Sequence, residues 1–128
     1  MAQVLNLRAT KGRVPHGALL IDRRTRWGNP FRVETWGRLL AVQLYYEMAS
    51  GFWNGPAFFR AMTDGEFRLA TDLRDQWLKR LGGHPVETIR VELRGWDLAC
   101  WCAPELCHGH ALLALAQGKP LDVEVWHG

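Results

Sequence analysis

The sequence lacks any apolar run of the roughly 18–20 residues that a membrane-spanning helix needs. Residues 1–7 hold no basic stretch followed by a long apolar one, so we expect no secretory signal and no membrane association. Cysteine is scarce: there are three, and all lie in residues 100–107. In a chain without an export signal, this clustering predicts cytoplasmic thiols or a metal site and excludes a disulfide framework.

The sequence also lacks internal repeats, low-complexity tracts and linkers. Its 128 residues are 48% hydrophobic and 23% charged, which excludes disordered and fibrous classes. A chain of this length suits one domain with a substantial core. We therefore predict a single domain over residues 1–128.

Basic charge is unevenly distributed. Residues 8–32 hold seven basic residues and one acidic residue (net +6), whereas residues 33–128 hold nine basic and twelve acidic residues (net −3). Six of the seven early cations are arginines, which favours bidentate recognition of phosphate or carboxylate. The segment predicts contact with a phosphate-bearing ligand, a nucleotide or a nucleic acid. The alternative is a solvated basic loop.

Apolar runs predict the strands. Residues 18–21 and 97–102 are apolar almost throughout, which is typical of central strands in a parallel sheet. Residues 4–7 and 121–126 are further candidates. Short strands separated by helices predict a small Rossmann-like α/β sandwich with a mainly parallel sheet.

Four-residue periodicity predicts the helices. It indicates one helix over residues 34–50 and one capped at Asp64 and ended by Gly82. Residues 108–117 are strongly apolar and predict another helix, ended by Gly118. Pro56 can open a further helix. Residues 86–94 fit either a strand or a short helix.

Residues 23–31 are the first candidate site, because ligands of parallel sheets bind beyond the carboxyl ends of strands. Arginines can clamp an anion, an indole can stack on a base, glycine lets a ligand approach the backbone, and asparagine can donate to a sugar or base. The candidate ligand-binding residues are Arg23, Arg24, Arg26, Trp27, Gly28 and Asn29. The alternative is that Trp27 anchors the core and Asn29 caps the next element.

The second candidate site is the cysteine- and histidine-rich segment over residues 100–110. Cys107 is expected at a helix N-terminus, where the thiol pKa is lowered. Three interpretations stay open: a reactive thiol with a histidine partner, a zinc site, or small buried thiols with capping histidines. The ligand spacing is too crowded for zinc, so we predict no metal and no cofactor. The candidate catalytic residues are Cys102, Cys107, His108 and His110.

The two segments together resemble those of a known family. Residues 23–31 read R-R-T-R-W-G-N-P-F, and residues 93–110 read L-R-G-W-D-L-A-C-W-C-A-P-E-L-C-H-G-H. The chain is similar in both to an uncharacterised family of small bacterial and bacteriophage proteins, catalogued as a domain of unknown function. The resemblance implies a Rossmann-like fold and a helix before the L-R-G, but no established activity.

The resemblance covers the chain except residues 52–83, which it identifies as a variable helical insert. His110 stands where the family has an acid. If that acid is the catalytic base, either His110 replaces it or the activity is lost.

Three functions follow from these observations. The first is an enzyme that processes or modifies a nucleotide or a nucleic-acid base. The second is a non-catalytic module that binds a phosphorylated ligand. The third is a protein-interaction adaptor that uses the tryptophan-bearing insert.

Overall fold

The computed structural model describes residues 2–51, 57, 62–102 and 105–121. In these residues three strands and five helices form a mixed α/β fold. The strands are β1 (Val4–Asn6), β2 (Ala18–Leu20) and β3 (Asp97–Cys100). The helices are α1 (Val33–Trp36), α2 (Arg38–Ser50), α3 (Asp64–Leu81), α4 (Pro85–Leu93) and α5 (His108–Gln117).

The described strands form a parallel sheet in the order β1–β3–β2. Leu5 pairs with Ala99 on one side of β3, and Leu19 pairs with Leu98 on the other. This confirms the predicted small α/β fold with a parallel sheet, and it confirms β3 as the central strand. Because the strands are parallel, their carboxyl ends share one edge of the sheet.

The position of β2 differs from the prediction. It pairs with β3 alone and lies at an edge of the described sheet, where Leu19 and Leu20 are half-buried. An apolar run indicates that both faces of a strand are buried. An edge strand whose faces are covered by other elements has the same composition. The run therefore predicted a parallel strand correctly and its central position wrongly.

Glycine and capping residues set the helix bounds. The helix predicted over residues 34–50 is divided into α1 and α2, because Gly37 adopts φ 79° and interrupts the helical backbone. α3 is capped by Thr63 instead of Asp64, in a reciprocal pair of hydrogen bonds with Glu66. α5 has the predicted bounds and ends at Gly118, whose φ is 70°.

Of the ambiguous residues 86–94, all but Arg94 belong to helix α4, which starts with Pro85 at its first position. Leu121 is described but lies outside any strand; the rest of the strand predicted over residues 121–126 lies outside the described residues. So does most of the helix predicted from Pro56. None of the described helices is long and apolar enough to cross a membrane.

The main core lies between the sheet and the helices. α5 packs against α2, α4 and the sheet, and it contributes Ala111, Leu112 and Leu115 to the buried cluster. α3 joins this core through Trp77, whose ring meets that of Tyr45 edge-on at 5.6 Å. The described part of the insert is thus integral to the core, and Trp77 is 1% exposed.

Candidate functional site

A cavity of about 350 Å³ opens at the carboxyl ends of β2 and β3. The segment that follows β2, the segment that follows β3, the start of α2 and the start of α5 enclose it. Its lining residues are Asp22, Arg23, Arg24, Asn29, Phe31, Val33, Arg38, Val42, Cys100, Trp101, Cys102, Leu106, Cys107 and His108. Both sequence-predicted segments therefore contribute to one site.

Three arginines line this cavity, and their pairing differs. Arg24 makes a close ion pair with Asp22 at 2.8 Å. The guanidinium of Arg38 lies 3.0 Å from the carboxylate of Glu105 and donates to the carbonyl of Leu106. Within the described residues, the ion pair of Arg23 is a 4.0 Å contact with Glu34, and 56% of its side chain is exposed. Arg23 is therefore the arginine most able to turn toward an anion.

Asp22 organises the rim of the cavity. Its carboxylate accepts hydrogen bonds from the Arg24 backbone and guanidinium and from the indole nitrogen of Trp101. Burial acts to raise the pKa of Asp22, but the hydrogen bonds from Arg24 and Trp101 outweigh it and lower that pKa below its usual value. Asp22 therefore positions Arg24, and its lowered pKa together with its hydrogen-bonded oxygens makes it a weak general base.

The three thiols meet at the floor of the cavity. The Sγ atoms of Cys100 and Cys107 lie 3.0 Å apart in the buried core, whereas Cys102 is half-buried. Hydrogen bonds from the thiols of Cys100 and Cys107, and a further one from Arg38, lower the pKa of Cys102. The lowered pKa favours the thiolate at Cys102, which is also the most accessible sulfur of the three.

Cys107 lies at the N-terminus of α5 as predicted, but its expected low pKa is wrong. Its pKa is raised, because its thiol shares hydrogen bonds with the sulfurs of Cys100 and Cys102 and is buried. Its Sγ also accepts from the backbone N–H of Gly109 at 3.3 Å and so caps the helix. The helix terminus favours a thiolate there, but the neighbouring sulfurs outweigh it.

The two candidate histidines have different surroundings. His108 lines the cavity and lies 2.6 Å from the carbonyl oxygen of Ile21 through Nε2. A carbonyl only accepts, so Nε2 carries the proton and Nδ1 carries the lone pair. Burial lowers the pKa of His108, and the ring is neutral at neutral pH.

His110 is absent from the cavity lining and completes the cap of α5. Its Nδ1 accepts from the backbone N–H of Cys107 at 3.0 Å, as an acidic side chain does at this helix position. Burial lowers the pKa of His110 as well, which keeps that nitrogen free to accept.

The remaining residues of the first segment are divided between the cavity and the core. Asn29 lines the cavity, but its amide is held by Ala41 and Phe31 backbone groups. Trp27 is only 6% exposed, and its carbonyl accepts from the hydroxyl of Tyr45. The structure thus places the indole in the core and away from the cavity, where it cannot stack on a ligand in this conformation.

Arg26 and Gly28 lie in one turn and have structural contacts. The guanidinium of Arg26 lies 4.9 Å from the centre of the Trp27 ring and pairs with Glu92, away from the cavity. Gly28 lies against the backbone of Arg23, and a Cβ added to it would lie 2.6 Å from that Cα. Glycine is required here because the backbone of Gly28 approaches the backbone of Arg23 closely, and not because a ligand approaches it.

Arg38 and Trp101 complete the site, and neither was predicted as a site residue from the sequence. Trp101 lies inside the second motif between two cysteines, so its place in the chain was a usable signal. No sequence feature indicated a site role for Arg38, because it reaches the thiols from the start of α2, more than sixty residues away in the chain. In the part of the chain that the structure describes, no three histidine, cysteine or acidic side chains are arranged to hold a metal ion.

Comparison with known proteins defines the family and nothing finer. No curated protein matches the chain. No solved structure matches it either. A family model for a domain of unknown function, DUF4326, matches residues 5–118 and so includes the sheet and both motif segments. The chain belongs to this DUF4326 family.

Proposed function

We propose that the protein is an enzyme that binds a nucleotide in this cavity and modifies it with the Cys102 thiolate. One observation carries the proposal: Cys102 lines a single cavity together with Arg23, Arg24 and Arg38. Its position beyond the carboxyl ends of parallel strands is the usual place for a ligand in such a fold. The proposal includes a cytoplasmic location, where the thiols stay reduced.

The size and lining of the cavity suit a mononucleotide. Its volume of about 350 Å³ falls at the lower end of small-molecule sites, which span roughly 300–1,000 Å³. Phe31, Val33, Val42 and Leu106 give it an apolar wall for a base. Arg23 and Arg24 line the same cavity, where they can hold a phosphate by charge-assisted hydrogen bonds.

Cys102 supplies the chemistry. Its sulfur lone pair forms a bond to an electrophilic carbon of the ligand, and the electron pair of the broken bond departs with the leaving group. The Cys107 thiol, which stays protonated, holds a proton next to the reacting sulfur. His108 has its Nε2 proton committed to Ile21 and is not needed to activate a thiol that is already ionised.

A non-catalytic binding module is the second candidate. Cys100 and Cys107 are buried, and Cys107 caps α5. These structural roles explain the two thiols without catalysis and so favour a binding module. The adaptor function loses support because Trp77 of the insert is buried. Trp53, the other tryptophan of the insert, lies outside the described residues.

Titration calorimetry with the common ribo- and deoxyribonucleoside monophosphates tests the binding. We expect Arg23→Ala to weaken binding about 10- to 150-fold, because it removes a charge-assisted hydrogen bond worth about 1.5–3 kcal/mol. Arg26→Ala is the matched control, since Arg26 belongs to the same basic segment but lies outside the cavity lining. Equal losses in both variants, or no binding by any monophosphate, contradict the proposal.

Incubation of the wild type and Cys102→Ser with the nucleotide that binds separates the two candidates. An enzyme gives a converted nucleotide or a covalent adduct on Cys102, seen by mass spectrometry, that the serine variant does not form. An unchanged nucleotide with no adduct favours the binding module.

A further inference from the structure

Three more cations lie at the same sheet edge as the cavity. The loop that follows β1 carries Arg8, Lys11 and Arg13, all exposed. Among the described residues, no acidic side chain is within ion-pair distance of any of them. Because β1 is parallel to β3, this loop and the cavity lie beyond the carboxyl ends of neighbouring strands.

Hydrogen bonds hold this loop in a defined shape. The backbone N–H of Gly12 donates to the carbonyl of Leu7 at 2.7 Å, and the Thr10 hydroxyl bonds to the carbonyls of Leu7 and Arg13. Leu7 itself is bonded to Cys100 at the end of β3. The loop therefore presents its cations from a fixed base beside the cavity.

Trp101 connects this loop to the cavity. The indole N–H of Trp101 donates to the carboxylate of Asp22 at 3.1 Å. At the opposite side of the ring, Cη2 lies 3.5 Å from the position that a Cβ of Gly12 would take. Although it is held at both ends, Trp101 is 41% exposed. An indole fixed in orientation and open to solvent is a stacking surface for a base.

We propose that the ligand of this site is single-stranded nucleic acid. One nucleotide enters the cavity, a neighbouring base stacks on Trp101, and the adjoining phosphates bind Arg8, Lys11 and Arg13. The inference rests on the proposed function for the nucleotide in the cavity. The loop and Trp101 determine whether the ligand is a strand or a free nucleotide, since only a strand reaches both.

Fluorescence anisotropy of a labelled twelve-residue oligothymidylate, compared with calorimetry of thymidine monophosphate, tests this inference. We expect the oligonucleotide to bind at least tenfold more tightly than the monophosphate. Trp101→Ala should weaken oligonucleotide binding roughly 5- to 150-fold through lost stacking. Trp96→Ala is its matched control, because Trp96 is 42% exposed and precedes β3 at the opposite edge of the sheet.

The charge of the loop is tested by the triple variant Arg8→Gln, Lys11→Gln, Arg13→Gln. Three lost phosphate contacts should reduce the slope of log affinity against log salt by about 2 for single-stranded nucleic acid. The variant should also lose at least tenfold more affinity for the oligonucleotide than for the monophosphate. Arg94→Gln, another exposed arginine that precedes β3, should leave both the slope and the affinity unchanged.

The outcomes separate this inference from the proposed function. If the monophosphate binds through Arg23 but the oligonucleotide binds no more tightly, the cavity takes a free nucleotide and the inference is overturned. Equal losses in Trp101→Ala and Trp96→Ala overturn it as well. Binding of neither probe overturns both proposals.

Discussion

The Nε2 atom of His108 and the carbonyl oxygen of Ile21 lie 2.6 Å apart, and this bond joins the start of α5 to the end of β2. The bond fixes the ring that lines the cavity, and either the neutral or the protonated ring can donate it. Burial of the ring opposes protonation, so burial couples the candidate site to pH.

Stability should fall as pH is lowered through about 6.5. Burial lowers the pKa of His108 in the folded state, so between its unfolded and folded pKa values the unfolded chain binds more protons than the native one. That difference lowers the free energy of unfolding by up to roughly 1.4 kcal/mol per pH unit. Urea unfolding at pH 8, 7, 6 and 5 measures the slope. His108→Gln should reduce it, and an unchanged slope would argue against a buried neutral ring.

His110→Asp should preserve or increase stability. An aspartate carboxylate can accept from the backbone N–H of Cys107 as the Nδ1 of His110 does, and a negative charge at a helix N-terminus adds about 0.3–1 kcal/mol. His110→Ala, which removes the acceptor, should cost about 1 kcal/mol. Urea unfolding at pH 7 compares the two. Equal destabilisation by both variants would show that His110 has a role other than capping.

Gly28→Ala should destabilise the fold by about 1–3 kcal/mol, because its Cβ would overlap the Cα of Arg23 and the carbonyl oxygen of Asp22. Gly65→Ala in the first turn of α3 is the matched control, since the nearest atom to its Cβ is 4.0 Å away. That substitution should be neutral or stabilising by up to about 1 kcal/mol. Thermal unfolding of both variants provides the measurement. Similar melting temperatures would contradict the close approach at Gly28.

The parts of the fold that local pattern controls could be predicted from the sequence. α5 combines a strongly apolar run with Gly118 at its end, and β3 is apolar after Asp97, so both were found with near-correct bounds. The break at Gly37 was missed because the apolar repeat continues across it from α1 into α2. The edge position of β2 was missed because strand order depends on packing between distant segments.

The candidate site was predictable only in part, for the same reason. Arg23, Arg24 and the two motif segments were found because arginine and cysteine carry their chemistry in any context. That Arg26 pairs away from the cavity and that Trp27 is buried depend on Glu92 and Tyr45, which are distant in sequence. The lowering of the pKa at Cys102 and its raising at Cys107 depend on hydrogen bonds among the three sulfurs, which spacing alone does not determine.

Alkylation of Cys102 should be nearly independent of pH between 6 and 8. Its pKa is lowered by hydrogen bonds from Cys100 and Cys107, so the thiolate is present throughout this range. An ordinary cysteine, with a pKa of about 8.5, reacts about tenfold faster for each pH unit in the same range. Iodoacetamide labelling with mass-spectrometric mapping gives the rates.

Two variants sharpen that measurement. Cys107→Ala removes one hydrogen-bond donor and should restore part of the pH dependence at Cys102. Cys107→Ser keeps a donor and should restore less. A tenfold rise per pH unit in the unsubstituted protein would mean that Cys102 is an ordinary thiol and would remove the basis for catalysis.

Protection of Cys102 by a nucleotide is the most direct test of the central claim, which places the ligand and the thiolate in one cavity. The alkylation rate of Cys102 is measured at pH 7 with and without a saturating nucleoside monophosphate, in the unsubstituted protein and in Arg23→Ala. We expect the nucleotide to slow alkylation at least tenfold in the unsubstituted protein and to protect Arg23→Ala only at much higher concentration. A nucleotide that binds with the same Cys102 alkylation rate would contradict the account, because ligand and thiolate would then occupy separate places.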